Sequence, residues 1–565
     1  MRRFRLSLAA ALFALAACAP VTVASRVERS SEHNIAAFAY PPLSPQAVLG
    51  HIQVLSSDQF EGRKPGTPGE ALTLDYLQRA FEAIGLSPGV TNSDGTHGWR
   101  QEVPLVSATV TGSPVLSITG SDGARDYAYR NQFVAWTKRV VPEVNVANAP
   151  LVFVGYGIVA PEQHWNDYAG VDMHGKIAVM LINDPDFDTG DDRGFGGHAM
   201  TLYGRWTYKY EEAARQGAAG VLIVHETAPA AYPWGVVESS NTGPKFDTVH
   251  EDNGMSRAGF EGWVTTDVGH DLFQRAGLDF AALKARAQRQ GFRPVPMHLT
   301  GSLDLHVTTL QTHSYNVVGV LPGASRPEDA IIYSAHWDHL GHCTPINGDD
   351  ICNGALDNAS GTSGLIELAR RFRADAPPAR SVVFLSVTAE EQGLLGSQYY
   401  ADHPTIPAAH LVADINMDGL NVDGPAHDIT EVGFGKSEMD DLLARAAATQ
   451  GRRVTADPFA ERGSFFRSDQ YHFARIGVPV LYTGGGVDLV NGGVSRGRAL
   501  EDAFIANRYH KPQDEIQPDW DLTGAEQDLQ LLHMVGHDLA NSADWPQWRP
   551  NAEFRAAREA SRPSH

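Results

Sequence analysis

The sequence contains few cysteines, few positive charges and no apolar run long enough to span a membrane near its start. Three cysteines occur in 565 residues, so the position of each is informative. The apolar run at 6–17 has 12 residues, whereas a transmembrane helix needs about 20. Lys and Arg number 45 against 67 Asp and Glu, which excludes binding to nucleic acid through a basic surface. There is no HExxH sequence, which argues against the metalloproteases built on that helix.

The composition is that of a folded, soluble protein. Hydrophobic residues make up 42% of the chain and mean hydropathy is −0.25, values that exclude a disordered chain and a multi-span membrane protein. A length of 565 residues predicts two large domains, or three to four smaller ones. The net charge of −22 either attracts cations or simply keeps the protein soluble, and we favour solubility.

The first residues predict export. Arg2, Arg3 and Arg5 precede the apolar run, and the run ends in Leu-Ala-Ala-Cys at Cys18, which resembles the lipobox of bacterial lipoproteins. We therefore predict a signal peptide at 1–17 and a tether at 18–40 that begins with a lipidated Cys18. This predicts a lipoprotein of a bacterial cell envelope, on the periplasmic side or the surface, with membrane contact only through Cys18. The alternative is an ordinary signal peptide with a chance cysteine.

Cys343 and Cys352 remain after Cys18 is set aside. An exported protein folds under oxidising conditions, and an even number of cysteines is left, so we predict a disulfide between them. A metal site using both thiols is the alternative.

Apolar runs alternate with helical patterns outside the middle of the chain, which predicts an α/β fold with a mostly parallel, mixed sheet flanked by helices. Two more strands, HLTGSLDLHVTT and then YNVVGVLPG, are predicted for the region 298–320, separated by polar residues. The other predicted strands are 330–335, 381–389, 411–417 and 478–484, and the predicted helices are 68–85, 361–374 and 436–451.

The block 106–304 interrupts this series with strands and a helix of its own, so we predict an inserted α/β domain there. The main domain then consists of 41–105 and 305–545, followed by a tail at 546–565. The acidic stretch 184–192 suits calcium by charge, but it lacks EF-hand spacing, and a solvated loop is the favoured interpretation.

Three predicted strands end directly before polar residues that can bind metal. His336 and Asp338 follow the first, Glu390 and Glu391 the second, and Asp418 the third. The carboxyl ends of parallel strands form the ligand-binding edge of an open α/β sheet. Taken singly, each residue has an ordinary explanation, such as a polar loop, a solvated turn or a helix N-cap for the nearby Asp357. Their coincidence at one edge predicts a metal centre, and His with carboxylates suits zinc.

These residues lie in motifs that resemble the di-zinc aminopeptidase family of metallopeptidases. The motifs, in the family's order, are HWDHLG, ALDNASGTSG, TAEEQGLLGS, NMDGL and YHKPQDE. The resemblance covers 45–105 and 305–540. The insert resembles the protease-associated (PA) domain through VFVGYGIVAP, YAGVDMHGKIAVMLI and EEAARQGAAGVLIVHE. A domain of this kind limits substrate access or binds another protein.

The resemblance implies a role for each matched residue. Glu390 is implied as the general base and Asp338 as the carboxylate that orients the site, with Asp514 as a further supporting carboxylate. Apart from the resemblance, Tyr509 directly precedes His510 and is a candidate to hydrogen-bond the oxyanion, with a packed tyrosine as the alternative. The peptide after the bridging aspartate is implied to be cis. The implied ligands of two zinc ions are His336 and Asp418 on one, Glu391 and His510 on the other, and Asp357 bridging both.

The resemblance implies a zinc-dependent exopeptidase that uses a metal-bridging hydroxide, most directly an aminopeptidase acting on peptides. Three alternatives remain. A carboxypeptidase or dipeptidase on the same scaffold would grip a free carboxylate with Arg467 or Arg462. A glutaminyl cyclase would use one zinc ion. A binding protein would have lost catalysis. The oligomeric state, the preferred residue and the native substrate do not follow from the sequence.

Overall fold

A computed structural model describes residues 35–190 and 194–562. The predicted signal peptide, Cys18 and most of the predicted tether lie outside the described residues. Within those two ranges, no helix combines the length and the apolar character needed to cross a membrane.

Helices occur along the whole described chain, and many bury one face. The α-helices are α1 (Pro45–Leu55), α2 (Pro68–Ile84), α3 (Trp206–Arg215), α4 (Thr227–Ala230), α5 (Trp234–Asn241), α6 (Thr266–Arg275), α7 (Phe280–Ala287), α8 (Gly361–Ala374), α9 (Leu395–Asp402), α10 (Met439–Thr449), α11 (Gln470–Arg475), α12 (Gly493–Asn507), α13 (Thr523–Asn541) and α14 (Arg555–Ser561).

The strands range from two-residue pairings to one strand of 27 residues. They are β1 (Ser87–Pro88), β2 (Val90–Thr91), β3 (His97–Gly98), β4 (Arg100–Thr111), β5 (Val115–Gly120), β6 (Gly123–Ala128), β7 (Phe133–Trp136), β8 (Glu143–Phe153), β9 (Val159–Ala160), β10 (Trp165–Asn166), β11 (Ile177–Leu181), β12 (Gly220–Val224), β13 (Lys245–Thr248), β14 (Phe260–Val264), β15 (Val295–Leu321), β16 (Arg326–His336), β17 (Gly341–Ile346), β18 (Asp349–Cys352), β19 (Arg380–Val387), β20 (Leu411–Asn416), β21 (Asp428–Glu431), β22 (Arg453–Ala456) and β23 (Val480–Gly484).

The main sheet confirms the predicted fold class. Strands β19, β16, β20 and β23 are neighbours and run parallel, while β15 and β21 join the two sides antiparallel. Every residue of β19 and β20 is buried. Helices cover both faces, which explains why these strands are continuous apolar runs instead of alternating patterns.

The prediction of two strands within 298–320 is wrong, because β15 continues through the polar segment. Thr309 pairs with Ala108 of β4, and Gln311 pairs with Val106. The side chains of this segment are largely exposed. Polar residues fit there because the segment is the solvent-facing edge of a ribbon that β15 forms with β4 and β13, and its backbone hydrogen bonds do not depend on apolar side chains. The ribbon connects the insert to the main sheet.

The buried side chains form separate cores in the main part of the chain and in the insert. Phe81 and Tyr333 belong to the core on one face of the main sheet, and Tyr400 to the core on the other. Within the insert, β8, β11, β12 and β14 run parallel with β7 antiparallel at the edge. Phe153 and Trp263 lie in the cores on its two faces. The insert is therefore α/β in structure.

A disulfide joins Cys343 to Cys352, as predicted. It links β17 to β18, the two strands of an antiparallel hairpin. The alternative of a metal site on the two thiols is therefore wrong.

Arg63 holds together the loops that follow the strand ends. Its side chain is fully buried. Its Nε donates to the carbonyl of Trp337 at 2.8 Å, and its two terminal nitrogens donate to the carbonyls of Leu55, Asn353 and Gly354 at 2.7–2.9 Å. Trp337 follows β16, and Gly354 precedes the segment that leads into α8. One guanidinium therefore fixes two loops that the sequence places 17 residues apart.

We predict that Arg63→Met destabilises the protein by about 3–5 kcal/mol, because four buried carbonyls lose their donor and nearby buried carboxylates lose a counter-charge. Denaturant unfolding would measure the loss. Arg79→Met, on the exposed side of α2, should change the free energy of unfolding by no more than about 0.5 kcal/mol. A loss below about 1 kcal/mol for Arg63→Met would contradict the proposed role.

Candidate metal centre

The parallel register of the main sheet brings three polar strand ends together. His336 is the last residue of β16, which lies between β19 and β20. Glu390 and Glu391 follow β19, and Asp418 follows β20. Because adjacent parallel strands end at the same edge, residues 82 positions apart in sequence, such as His336 and Asp418, come into contact.

Asp357 lies in a distorted helical segment, Ala355–Ser360, directly before α8. The peptide bond between Asp357 and Asn358 is cis, as the family resemblance implied. The Asp514 carboxylate accepts backbone N–H bonds from Leu356 at 3.1 Å and Asp357 at 3.0 Å. These bonds explain how Asp514 supports the site without reaching its centre.

Asn358 ties this segment to the end of β20. Its side-chain Nδ2 donates to the carbonyl of Met417 at 3.0 Å, and its Oδ1 accepts from the backbone of Gly361 at 2.9 Å and Gly419 at 3.0 Å. Hydrogen bonds between the Asn358 side chain and main-chain groups therefore set the position of Asp357 relative to Asp418.

Asp357 lies between two histidines, one on each carboxylate oxygen. His336 Nε2 is 3.4 Å from Oδ1 of Asp357 and 3.1 Å from Oδ1 of Asp418. His510 Nε2 is 3.2 Å from Oδ2 of Asp357 and 3.1 Å from Oε2 of Glu391. The five side chains that the resemblance implied as ligands thus form two adjoining sets that share one carboxylate.

His339 is a sixth potential ligand that the sequence analysis missed. It is fully buried, and with Asp357 and Glu391 it forms a group whose ligand atoms lie within 4.8 Å of one another. Its Nδ1 is 2.6 Å from Oε1 of Glu391, but the approach lacks hydrogen-bond geometry, so both atoms are buried without a hydrogen-bond partner. The second histidine of HWDH, three residues after His336, was the available signal.

Glu390 belongs to neither ligand set. Its carboxylate lines the open cleft beside Glu391, and its backbone N–H donates to Oδ1 of Asp338 at 3.1 Å. The Nδ1 of His336 lies 3.2 Å from the main-chain carbonyl of Asp338, closer than the 3.9 Å to its carboxylate. Asp338 thus holds His336 through its backbone, while its carboxylate positions the backbone of Glu390.

The carboxylates of the two ligand sets raise the pKa of both histidines in the metal-free chain. Burial opposes a charge on His336, but neighbouring carboxylates, Asp418 foremost, raise its pKa well above the usual value. Burial also opposes a charge on His510, yet Glu391 and Asp357 raise its pKa to about 10. The carboxylates therefore favour the cationic form of each imidazole. In a metal-bound protein, the metal ion would supply this positive charge instead.

Burial raises the pKa of three other carboxyl groups around the centre. The pKa of Asp338 rises to about 8 and that of Asp514 to about 6. Burial also raises the pKa of Glu390 well above its usual value, although His336 opposes the shift. A carboxyl group with a raised pKa is suited to accept and return a proton near neutral pH.

The donor set fits zinc. Imidazole nitrogens and carboxylate oxygens are the ligands zinc takes in catalytic sites, and two sets sharing a carboxylate suit a two-metal arrangement. Buried polar atoms without a hydrogen-bond partner also cluster here, including both ring nitrogens of His339, Oε1 of Glu391 and Oδ2 of Asp338. Such atoms are costly unless a cation or another partner satisfies them.

The centre opens into a cleft of about 1180 Å³ between the main part of the chain and the insert. Asp357, Glu390 and Asp418 line one side, and Trp206 of the insert lines another. The ring of Tyr509 stacks on that of His510, with centroids 3.9 Å apart. The cleft is large enough for a short peptide.

The protein is thus an α/β protein with a candidate metal centre at the carboxyl ends of its parallel strands. The sequence profile described as peptidase family M28 matches residues 316–534. The matched segment, which is similar to that family, contains every candidate ligand.

Individual relatives match shorter stretches. A probable zinc metalloprotease of Pyrenophora teres f. teres is 37% identical over 102 residues, covering 18% of this chain and 22% of the relative. Aminopeptidase YwaD of Bacillus subtilis is 37% identical over 103 residues, covering 18% and 20%. The chain thus spans about a fifth of the length of these curated relatives. The solved aminopeptidase from Aneurinibacillus sp. strain AM-1 aligns with 88% of this chain and 94% of its own at 19% identity, with a TM-score of 0.46.

We predict that zinc stabilises the protein more as pH rises. The folded-state pKa values of Asp338 (about 8) and His510 (about 10) lie above the ordinary values of 3.8 and 6.5. Each group therefore stabilises the metal-free fold at low pH, and that contribution is lost as pH rises toward the folded pKa. Zinc binding displaces protons, so the Tm difference between zinc-loaded and metal-free protein should widen from pH 6 to 8. A constant or narrowing difference would contradict the assignment.

We predict that His339→Gln weakens zinc binding by about 10- to 100-fold, because it removes a buried nitrogen next to Glu391. Competition with a chromogenic zinc chelator would measure the affinity of each site. The exposed His342→Gln, three residues further on, is the matched control and should bind zinc as the unmodified protein does. Equal affinities for both variants would show that His339 plays no part in the centre.

Proposed function

We propose that the protein is an aminopeptidase that binds two zinc ions and releases N-terminal residues from peptides. The observation that carries the proposal is the position of Asp357, whose two carboxylate oxygens each face a different histidine. The family of residues 316–534 supports peptide hydrolysis, and the similarity to an aminopeptidase of Bacillus subtilis supports the N-terminal direction.

In this proposal, His336 and Asp418 would hold one zinc ion, Glu391 and His510 would hold the other, and Asp357 would contribute to both sites. Zinc, when bound, would supply an acidified water and polarise the scissile carbonyl. Glu390 accepts the proton of the attacking water and returns it to the leaving amine. Asp338 keeps Glu390 in place through the bond to its backbone N–H.

The charges around the centre favour a substrate ammonium group over a carboxylate. Asp357, Glu390, Glu391 and Asp418 bring four negative charges when ionised, which balance two zinc ions. The buried Asp469 is close enough to raise the pKa of Glu390 and adds a further negative charge when ionised. A free α-amine would be attracted to these carboxylates, whereas a free α-carboxylate would be repelled by them.

We predict that Glu390→Gln retains zinc and loses at least about 10³-fold in kcat, because the amide cannot take up a proton. Zinc content by atomic absorption and hydrolysis of aminoacyl p-nitroanilides would be measured together. Unmodified protein should lose activity to a chelator and regain it with zinc. A near-normal rate for Glu390→Gln would show that another group is the base.

Peptides with a blocked terminus distinguish release of N-terminal residues from release of C-terminal residues. N-acetylation should abolish hydrolysis, while C-terminal amidation should leave an N-terminal residue to be released. The reverse result would establish a carboxypeptidase. A zinc stoichiometry of one with cyclisation of N-terminal glutamine would establish a glutaminyl cyclase.

The cellular location and the role of the insert are also proposals. Residues 1–18 support export to a bacterial cell envelope with anchoring through Cys18, but they lie outside the described residues. The α/β insert borders the cleft, which supports a PA-like domain that limits access to the metal centre.

A further inference from the structure

The cleft contains two arginines, Arg205 and Arg467, whose positive charges nothing in the described chain balances. Arg205 precedes α3 in the insert, and Arg467 lies between β22 and α11 in the main part of the chain. Both line the cleft. Neither guanidinium has a hydrogen bond, an ion pair or an aromatic partner among the described residues, and the Nε of Arg205 is buried.

Other cationic side chains that line the same cleft have an acidic or aromatic partner. Arg475 is 3.3 Å from Glu211, and Lys138 is 3.5 Å from Asp247. Arg462, which the sequence analysis offered as an alternative to Arg467, stacks on Phe459 with 3.8 Å to the ring centroid. The arginine pair, Arg205 and Arg467, therefore differs from its neighbours in having no partner within the chain.

Both members of the pair line the same cleft. Burial, together with repulsion from Arg467, lowers the pKa of Arg205 to about 10. Burial raises the pKa of Tyr232, and the charges of Arg205 and Arg467 both oppose that shift. Arg205 is partly buried and Arg467 is exposed, and two like charges on the wall of one cleft favour the binding of an anion there.

The pair is also linked to the metal centre. Arg467 and Tyr509 line the same cleft as the ligand Asp357. Tyr509 in turn stacks on His510. The cleft thus has an acidic end at the metal ligands and a cationic part at the arginine pair.

We propose that Arg205 and Arg467 form a subsite that binds a carboxylate of the peptide substrate, on the leaving-group side of the scissile bond. Guanidinium groups bind carboxylates by charge-assisted, forked hydrogen bonds. A peptide with its α-amine at the acidic end and a carboxylate further along would match both charges of the cleft. This inference rests on the proposed aminopeptidase function, and it assigns the insert a part in substrate selection.

The carboxylate has two possible sources, the free C-terminus of a short peptide or an acidic side chain. Two substrate pairs separate them, with X the residue released fastest from its p-nitroanilide. One pair is X-Gly and X-Gly-amide, and the other is X-Glu-Gly-amide and X-Gln-Gly-amide. We expect kcat/KM to favour the carboxylate member of at least one pair by about 10- to 100-fold, the range of a charge-assisted contact. The pair that shows the preference identifies the source.

The variants Arg205→Gln and Arg467→Gln should each reduce that preference to less than about threefold, since each removes one guanidinium of the fork. Zinc content and hydrolysis of the p-nitroanilide, which has no carboxylate, should stay within about threefold. The control is Arg215→Gln, which removes a half-exposed arginine of α3 that pairs with Glu212, and it should keep the full preference. A preference near one in unmodified protein, or one unchanged in both variants, would overturn the proposal.

A measurement of peptide binding tests the arginine subsite separately from the proposed aminopeptidase activity. If the protein hydrolyses no peptide, the aminopeptidase proposal fails, and calorimetry on Glu390→Gln still examines the subsite. Leu-Gly should then bind at least about 10-fold more tightly than Leu-Gly-amide, and the difference should vanish when Arg205→Gln is added. Equal affinities for the two peptides would overturn the subsite by this route, provided that Leu-Glu-Gly-amide and Leu-Gln-Gly-amide also bind equally.

Discussion

The structure depends on the burial of several carboxylates at one edge of one sheet. The side chains of Asp357, Glu391 and Asp418 approach one another and are only 3–19% exposed, and burial without counter-charge would cost several kcal/mol for each ionised group. In the metal-free chain, the raised pKa values of His336 and His510 favour positive charges that offset part of this cost. Arg63 adds a further positive charge nearby. The fold therefore builds a site whose electrostatics are completed by cations, which is the physical reason to expect metal there.

The supporting contacts show how such a site is kept in shape. Much of the scaffold is main chain: Arg63 holds carbonyls, Asn358 holds carbonyl and N–H groups, and Asp514 holds N–H groups. Backbone anchoring leaves the ligand side chains free to face the centre. It also means that residues without any chemical role in hydrolysis determine where the ligands stand.

The sequence predicted those parts that depend on local pattern. The buried strands β16, β19 and β20 were visible as apolar runs, and parallel strands end at the same edge, so the grouping of His336, Glu390 and Asp418 followed. The continuous strand β15 was missed, because polar residues in a solvent-facing ribbon give no apolar signal. Arg63 and Arg205 were missed because their roles arise from contacts between distant segments. The same holds for His339, which lies beside Asp357 and Glu391 only in the folded chain.

The most direct measurement is diffraction from zinc-loaded crystals on both sides of the zinc absorption edge. The account predicts two anomalous peaks, one contacting His336 and Asp418 and the other contacting Glu391 and His510, with Asp357 touching both. A single peak, or peaks away from Asp357, would contradict a centre built on one shared carboxylate.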